Sequence, residues 1–258
     1  MKEFVNLFRI AYYGSDFHGS QIQPNLSTVE GVLKKIMKKI GTSNPKFSSR
    51  TDKRVNAIGN VFTVRSNLES QSLVGKLIEE LENYPIWITG FSDVNYNFNP
   101  RNAKMRQYRY HLFDKKSYEV FSKTIQLFVG KLDFRYFAKL SDSDETNTIR
   151  TIANIKTYLK DDIIICDIYG KSFLWQQIRK IVGASVDVAQ GRKTSKDIKN
   201  ALKGNKIEFS TARPEFLTLM NIKYEKIEIQ AIKNERIMKE NYELTKNDSL
   251  FWKNIYSL

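Results

Sequence analysis

Residues 48–64, SSRTDKRVNAIGNVFTV, run from a charged loop directly into an apolar strand. The loop places one carboxylate, Asp52, among three cations, Arg50, Lys53 and Arg54. The closing NVFTV has the β-branched and aromatic content that is typical of a strand. Two interpretations of Asp52 stay open at this point. It neutralises a basic loop that grips an acidic partner, or it is the reactive group that the loop delivers to its target.

The strand pattern recurs on both sides of this stretch. Residues 104–113, KMRQYRYHLF, alternate with a period of two, which predicts that Arg106, Tyr108 and Tyr110 share one face of a half-buried strand. Apolar and β-branched runs predict further strands over residues 4–13, 86–91, 151–159, 162–170 and 216–227.

Helical periodicity fills the intervals between these strands. Amphipathic helices are predicted over residues 27–40, 72–84, 172–189 and 195–203, with a shorter helix over 132–140. Ser27 and Glu30 have the spacing of a capping box at the start of the first helix. Strands and helices therefore interleave twice, around a loop near residues 97–104. We predict an α+β protein with two halves, residues 1–103 and 104–258, each with helices on one face of a mainly antiparallel sheet.

The charge of the chain favours an acidic partner. The excess of 42 Lys+Arg over 28 Asp+Glu gives a formal net charge of +14. Such a charge favours nucleic acid first and an anionic membrane surface second, and solubility is the plain alternative explanation. The single cysteine, Cys166, allows no internal disulfide, and the two distant histidines, His18 and His111, give little support to a zinc site. No apolar run approaches the length of a membrane span, so we expect a soluble, cytoplasmic protein.

Six segments match the motifs of one known family, in the order in which that family has them. They are YYGSDFHGSQIQ (12–23), SRTDKRVNA (49–57), FNPRNAKMRQYRY (98–110), RTI (150–152), GKSFLWQQIRKIVG (170–183) and ARPEFLTL (212–219). Together they resemble the tRNA pseudouridine synthase A family over almost the whole chain. One such match would be a weak signal, whereas six in the right order are a strong one.

The resemblance implies a fold and a reaction. The fold is two ferredoxin-like halves whose sheets form one continuous surface around a central basic cleft. The reaction is isomerisation of uridine to pseudouridine in the anticodon stem-loop of tRNA, on a base that has been flipped out of its stack. Substrate and product are isomers, so we expect no cofactor and no metal. Family members act as homodimers, and a homodimer is therefore expected.

The resemblance assigns the chemistry to Asp52. A carboxylate can add to the uracil ring or to the sugar, or remove a sugar proton, and the sequence leaves these routes open. Arg179 matches the family's helix arginine, which keeps the aspartate charged and in position. From the sequence alone, a surface arginine is the plainer interpretation of Arg179. Arg50 fills the space of the flipped base in the family, and it is otherwise one more phosphate-binding cation.

Three further residues match positions of the family's motifs at or near the active site. Tyr108 matches the tyrosine that stacks on the target base, and a buried tyrosine pair with Tyr110 is the ordinary alternative. Arg101 is implied as a contact to the RNA backbone. Gln21 lies in the opening motif, where it supports the active-site loop or contacts RNA.

The chain departs from the family motifs at four positions. Ser20 stands where the family has Trp, Arg54 replaces a Gly, Asn56 replaces a His, and Phe216 replaces a second Gly. Arg54 is the most serious departure, because glycine often marks a turn with a positive φ that arginine disfavours. These departures bear on which uridines are modified more than on the chemistry.

Two other functions remain as alternatives. A non-catalytic RNA-binding protein of the same fold would keep Arg50, Tyr108 and the basic surface, but it would have no need for Asp52. A basic scaffold protein would explain the charge of the chain but not the ordered motifs.

Overall fold

The computed structural model of the protein describes residues 3–140, 147–160 and 162–232. Within them the strands are β1 (Phe4–Tyr12), β2 (Lys46–Phe47), β3 (Asn56–Ser66), β4 (Ile86–Val94), β5 (Met105–Leu112), β6 (Gly130–Asp133), β7 (Ile149–Lys160), β8 (Ile163–Gly170), β9 (Leu217–Lys223) and β10 (Gln230–Ala231). The α-helices are α1 (Val29–Lys39), α2 (Ser70–Glu80), α3 (Tyr118–Ile125), α4 (Gln177–Ala189) and α5 (Ser195–Leu202). The predicted α+β class with mainly antiparallel strands is confirmed.

The described residues form two compact units. Unit 1 comprises residues 3–104 and 218–232, and unit 2 comprises residues 105–140, 147–160 and 162–217. The chain returns to unit 1 through β9, which pairs in parallel with β3 at Asn56 and Ala57. The division predicted from the sequence, 1–103 and 104–258, did not include this return.

In unit 1 the sheet has the strand order β10-β4-β1-β3-β9, with the short β2 paired to β3. All of its pairings are antiparallel except that of β3 with β9. β3 has neighbours along both edges and is buried at nearly every position. Burial at successive positions means that both faces of β3 are covered. A strand of this kind has a nearly continuous apolar sequence, as NVFTV shows.

Helix α1 has the two faces that its sequence predicts. The apolar side chains Val29, Leu33 and Ile36 are buried, and the lysines of the opposite face are exposed. The predicted cap is wrong by one residue, because the Thr28 hydroxyl, and not that of Ser27, accepts the hydrogen bond from the Gly31 N–H at 3.1 Å. Glu30 instead accepts a hydrogen bond from the backbone N–H of Ile22, which lies in the loop before the helix.

Unit 2 contains an antiparallel sheet in the order β5-β8-β7-β6 together with α3, α4 and α5. The predicted helix over residues 132–140 is wrong: β6 ends at Asp133 and a single 3₁₀ turn follows over Arg135–Phe137. Phe134 and Phe137 are fully buried around Phe128, so their spacing reflects core packing and not a helix. Helix α3 was not predicted from the sequence.

Helix α4 begins five residues later than predicted. Residues 171–176, which we call the α4 loop, precede it, and Gln176 at the end of this loop has a φ of 59°. A residue in the left-handed region cannot continue a regular α-helix, so the helix starts at Gln177. Among the residues that the structure describes, no helix is long and apolar enough to cross a membrane.

Candidate active site

Asp52 lies in unit 1 on the loop between β2 and β3. We call residues 48–55 the Asp52 loop. Asp52 is half-buried, Thr51 before it is buried, and Arg50 is exposed. The N–H of Val55 donates to the carbonyl of Asp52 at 3.1 Å and closes a tight turn. The loop thus presents the carboxylate and the Arg50 guanidinium on a short, folded segment.

A buried polar network fixes the base of the Asp52 loop. The Tyr12 hydroxyl lies 2.8 Å from the Thr51 hydroxyl, and the Asn60 side-chain amide donates to Tyr12 Oη at 3.1 Å. The same amide also donates to the carbonyl of Ser49 at 3.1 Å. Tyr12 is 1% exposed and Asn60 is fully buried. Buried polar groups are costly unless they are paired, so this network holds the loop in one conformation.

Tyr12→Phe is expected to lower the free energy of unfolding by about 1–2 kcal/mol, because it removes the hydroxyl that links Thr51 and Asn60 in a buried site. Urea unfolding measures this loss, and the slope of the unfolding free energy against urea concentration should not change. Tyr96→Phe is the matched control, because the Tyr96 hydroxyl accepts a hydrogen bond from Arg65 at an exposed position. Equal effects of the two substitutions would contradict the role given to the network.

The opening motif packs against the Asp52 loop. The N–H of Thr51 donates to the Ser20 hydroxyl at 2.7 Å, and the N–H of Ser20 donates to the carbonyl of Thr51 at 3.1 Å. Gly19 has a φ of 99°, and a Cβ there would lie 3.0 Å from the same carbonyl. The serine that stands in place of a family Trp therefore clamps the residue directly before Asp52.

Asn56, a second departure from the family motif, contacts the opening motif. Its side-chain oxygen accepts a hydrogen bond from the Gly14 N–H at 2.8 Å in a buried position. A Cβ on Gly14 would overlap the backbone of Val55, so only glycine allows this close approach. No role was predicted from the sequence for Ser20, Asn56, Tyr12 or Asn60. Only the first two carried a signal, as departures from the motif.

Arg54 adopts the conformation that the family's glycine suggested. Its φ is 67°, in the left-handed region, and its N–H donates to the carbonyl of Phe17 at 3.3 Å. The turn therefore has a positive φ at a residue that disfavours it. The cost of a non-glycine residue in this region is about 1–2 kcal/mol.

Arg54→Gly is expected to raise the free energy of unfolding by about 0.5–1 kcal/mol, since relief of strain exceeds the extra entropy of glycine in the unfolded chain. Thermal unfolding should show a rise of about 1–4 °C. Lys53→Gly is the control: Lys53 is exposed and has no positive φ, so glycine there should lower stability by about 0.4–1 kcal/mol. A fall in stability for Arg54→Gly would contradict the claim that the positive φ of Arg54 strains the backbone.

In unit 2, strand β5 carries the alternation that its sequence predicts. Arg106, Tyr108 and Tyr110 are all buried. Tyr108 packs edge-to-face on Phe173 of the α4 loop, with ring centroids 5.4 Å apart, and the Arg106 guanidinium donates to the carbonyl of Lys171 in the same loop. Tyr108 is therefore fixed by the segment that leads into α4.

Arg179 on α4 is held by residues of the later chain. Its Nε donates to the carbonyl of Ala212 at 2.8 Å, and its own carbonyl accepts from the Ala212 N–H at 3.0 Å. Burial raises the pKa of Tyr110 to about 12, although the positive charge of Arg179 opposes that rise. The Tyr110 phenol therefore stays neutral at physiological pH.

The contact between α4 and the segment around Ala212 also explains why the helix motif ends in a glycine, Gly183. A Cβ on Gly183 would overlap the carbonyl oxygen of Ser210, so the helix can receive this segment only where it has no side chain. Asp187, one turn further along α4, accepts the Ser210 N–H at 2.7 Å and binds the guanidinium of Arg192 at 2.7 Å. These bonds lower the pKa of Asp187 against the effect of its burial.

The remaining predicted site residues are exposed. Gln21 follows the Ser20 clamp directly, which brings it beside the Asp52 loop, whereas Arg101 lies in the loop after β4. The backbone N–H of Arg101 donates to the side chain of Asn99 at 3.0 Å. Over residues 3–140, 147–160 and 162–232, no three His, Cys, Asp or Glu side chains are grouped so that they could hold a metal ion.

Comparison with known proteins finds relatives that match this chain over most of its length. A family profile described as tRNA pseudouridine synthase matches residues 124–225. The tRNA pseudouridine synthase A of Pyrococcus abyssi is 37% identical over 241 residues, which cover 90% of this chain and 89% of that protein. The same enzyme of Pyrococcus furiosus is 36% identical over 250 residues, 94% of this chain and 91% of its own.

Two further comparisons differ in strength. The tRNA pseudouridine synthase A of Methanobrevibacter smithii is 34% identical over 242 residues, with 84% of this chain and 82% of that protein covered. A chain in the crystal structure of a Cbf5–Nop10–Gar1 complex has a TM-score of 0.41 and 11% identity, with 96% of this chain and 59% of that chain covered. The latter likeness adds nothing to the assignment. The sequence relatives match nearly end to end, and this chain therefore belongs to the tRNA pseudouridine synthase A family and is a pseudouridine synthase.

Proposed function

We propose that the protein isomerises uridine to pseudouridine in the anticodon stem-loop of tRNA, with Asp52 as the catalytic carboxylate. The observation that carries this proposal is the Asp52 loop itself, in a chain that belongs to a pseudouridine synthase family. Its backbone is clamped by Ser20 and by the buried network of Tyr12 and Asn60, while Asp52 stays half-buried. A counter-ion needs no such fixed geometry, whereas a reacting group does.

The reaction needs only what the substrate and the protein provide. The bond between C1′ and N1 breaks, the uracil turns, and a bond forms between C1′ and C5. The proton lost from C5 is balanced by a proton gained at N1, so no oxidant or reductant takes part. Asp52 has to be ionised to add to the substrate or to remove a proton. Arg179 is proposed to keep it charged, as its counterpart does in the family.

The proposed RNA contacts use the exposed cations and the Tyr108 strand. Arg50, exposed two residues before Asp52, would occupy the space that the flipped base leaves. Tyr108, held edge-on by Phe173, would stack on the uracil. Arg101 would bind the RNA backbone and Gln21 would contact RNA beside the Asp52 loop. The net charge of +14 supports an electrostatic contribution to this binding.

The assembly and its location are part of the same proposal. We expect a homodimer, so that one tRNA touches both subunits, and a cytoplasmic location. Light scattering coupled to gel filtration measures the mass in solution and decides between one and two copies of the 30.1 kDa chain.

The deciding experiment gives the protein in vitro transcribed tRNA that carries no modification. Carbodiimide labelling followed by reverse transcription maps each pseudouridine formed. The expected result is conversion of uridines in the anticodon stem-loop. Conversion elsewhere in the tRNA would keep the reaction and overturn the substrate region. Tight binding without any conversion, at equimolar protein, would favour the non-catalytic RNA-binding alternative.

A further inference from the structure

Trp175 is a large aromatic side chain that the core of unit 2 does not use. It is 47% exposed, whereas Phe128, Phe134 and Phe137 of the same unit are fully buried. An isolated exposed apolar side chain needs no special explanation. Trp175 differs because its neighbours hold it in place and pair it with a cation.

The backbone around Trp175 is fixed on both sides. The N–H of Lys139 donates to the carbonyl of Trp175 at 2.8 Å. The side-chain oxygen of buried Gln177 accepts the N–H of Leu174 at 2.8 Å, and Gln176 takes its left-handed conformation between them. The indole therefore projects from a rigid turn, and little conformational entropy is lost when a ligand binds it.

A cation accompanies the indole ring. Lys139 Nζ lies 4.3 Å from the centroid of the Trp175 ring, a cation–π distance. Trp175 as a residue remains 47% exposed with the lysine over one face of its ring, so a base would stack on the other face. An aromatic face beside a positive charge suits a nucleotide, because the base stacks on the ring while its phosphate is attracted to the ammonium group.

The pair lies close to the proposed target-base contact. Phe173, two residues before Trp175 in the α4 loop, packs on Tyr108. Two residues of extended chain span at most about 7 Å, so the two backbone positions are near neighbours. If Tyr108 stacks on the target uracil, Trp175 is near enough to receive a nucleotide next to it.

We propose that Trp175 and Lys139 form a stacking site for an unpaired nucleotide that neighbours the target uridine. This inference rests on the proposed function, because it takes Tyr108 as the contact to the target base. The site would favour a uridine whose neighbour is free of base pairing, as in a loop, over one inside a duplex. Aromatic stacking on unpaired bases is the usual means of recognition in RNA loops.

The test is tRNA binding to Trp175→Ala in an Asp52→Asn background, which prevents turnover during the measurement. Fluorescence anisotropy at several salt concentrations should show a Kd about 10- to 100-fold higher, the range for loss of one stacked base. The slope of log Kd against log salt should stay the same, since stacking releases no counterions. Trp175→Phe, which keeps a stacking ring, should recover most of the affinity.

The matched control is Tyr96→Ala in unit 1. Tyr96 is 55% exposed and lies under Arg65 at 4.1 Å, so it has the same kind of cation–aromatic pair. Arg65 is at the end of β3 that is remote from the Asp52 loop, about 30 Å along the strand from Asn56. Tyr96→Ala should leave the affinity unchanged. An equal loss in both variants, or no loss in Trp175→Ala, would overturn the stacking site.

Direct contact can be read from tryptophan fluorescence. Binding of unmodified tRNA should quench the emission of Trp175, and the quench should shrink in Trp175→Phe. An unchanged quench in that variant would also overturn the site.

The outcomes of these experiments distinguish a failure of the stacking site from a failure of the proposed function. Pseudouridine formation by the wild type with normal tRNA binding by Trp175→Ala overturns the stacking site alone. Loss of binding in Trp175→Ala without pseudouridine formation by the wild type overturns the catalytic proposal alone.

Discussion

Asp52→Asn is expected to reduce pseudouridine formation in tRNA by about 10³-fold or more, while the affinity for tRNA changes little. Asparagine has nearly the shape of aspartate, so the turn closed by Val55 and the clamp by Ser20 should persist. The amide carries no charge and is neither a nucleophile nor a base at neutral pH. Single-turnover assays with excess protein separate this loss of chemistry from any loss of binding.

Asp162→Asn is the matched control for this substitution. Asp162 forms an exposed ion pair with Lys115 in unit 2, and its φ of 66° is tolerated equally well by asparagine. Activity should remain within about two-fold of the wild type, because exposed ion pairs contribute little. Appreciable activity in Asp52→Asn would return Asp52 to the role of a counter-ion.

Gly183→Ala is expected to lower the free energy of unfolding by about 3 kcal/mol, at the upper end of the cost of overpacking. The new methyl group would overlap the Ser210 carbonyl, and neither backbone can move without breaking the bonds between Arg179 and Ala212. Thermal unfolding should occur about 6–12 °C below the wild type. Pseudouridine formation should fall as well, because the same segment holds Arg179.

Gly75→Ala separates the steric effect from the general effect of alanine in a helix. Gly75 lies in the interior of α2, and nothing is within 4 Å of the position that its Cβ would take. Alanine there should raise stability by about 0.5–1 kcal/mol, through helix propensity alone. If Gly183→Ala were as well tolerated as Gly75→Ala, the close approach of residues 210–212 to α4 would be wrong.

Local pattern in the sequence was enough to predict most strands and helices. The alternation of Arg106, Tyr108 and Tyr110 is confirmed by their burial on β5, and the apolar stripe of α1 is confirmed by Leu33 and Ile36. Such patterns arise because burial repeats with the period of the element itself. The motif order likewise identified the family, since each motif keeps residue types that the chemistry needs at a fixed spacing.

The local pattern failed where distant contacts decide the structure. Phe134 and Phe137 have an apolar spacing that suggests a helix, but they pack around Phe128 from a 3₁₀ turn. The start of α4 was misplaced because Gln176 takes a left-handed conformation at the end of a loop in which Phe173 packs on Tyr108. In both places tertiary packing outweighs local propensity, which is worth only a few tenths of a kcal/mol to about 1 kcal/mol per residue.

The Asp52 loop shows the same division. The sequence by itself determined that a lone aspartate follows Arg-Thr in a family motif, and it marked Arg54 as a residue where a positive φ was to be expected. Only the tertiary structure decided how that loop is held, by Ser20 on one side and by Tyr12 and Asn60 on the other. These partners are remote in sequence, and hydrogen bonds between remote residues leave no periodic trace for a local pattern to reveal.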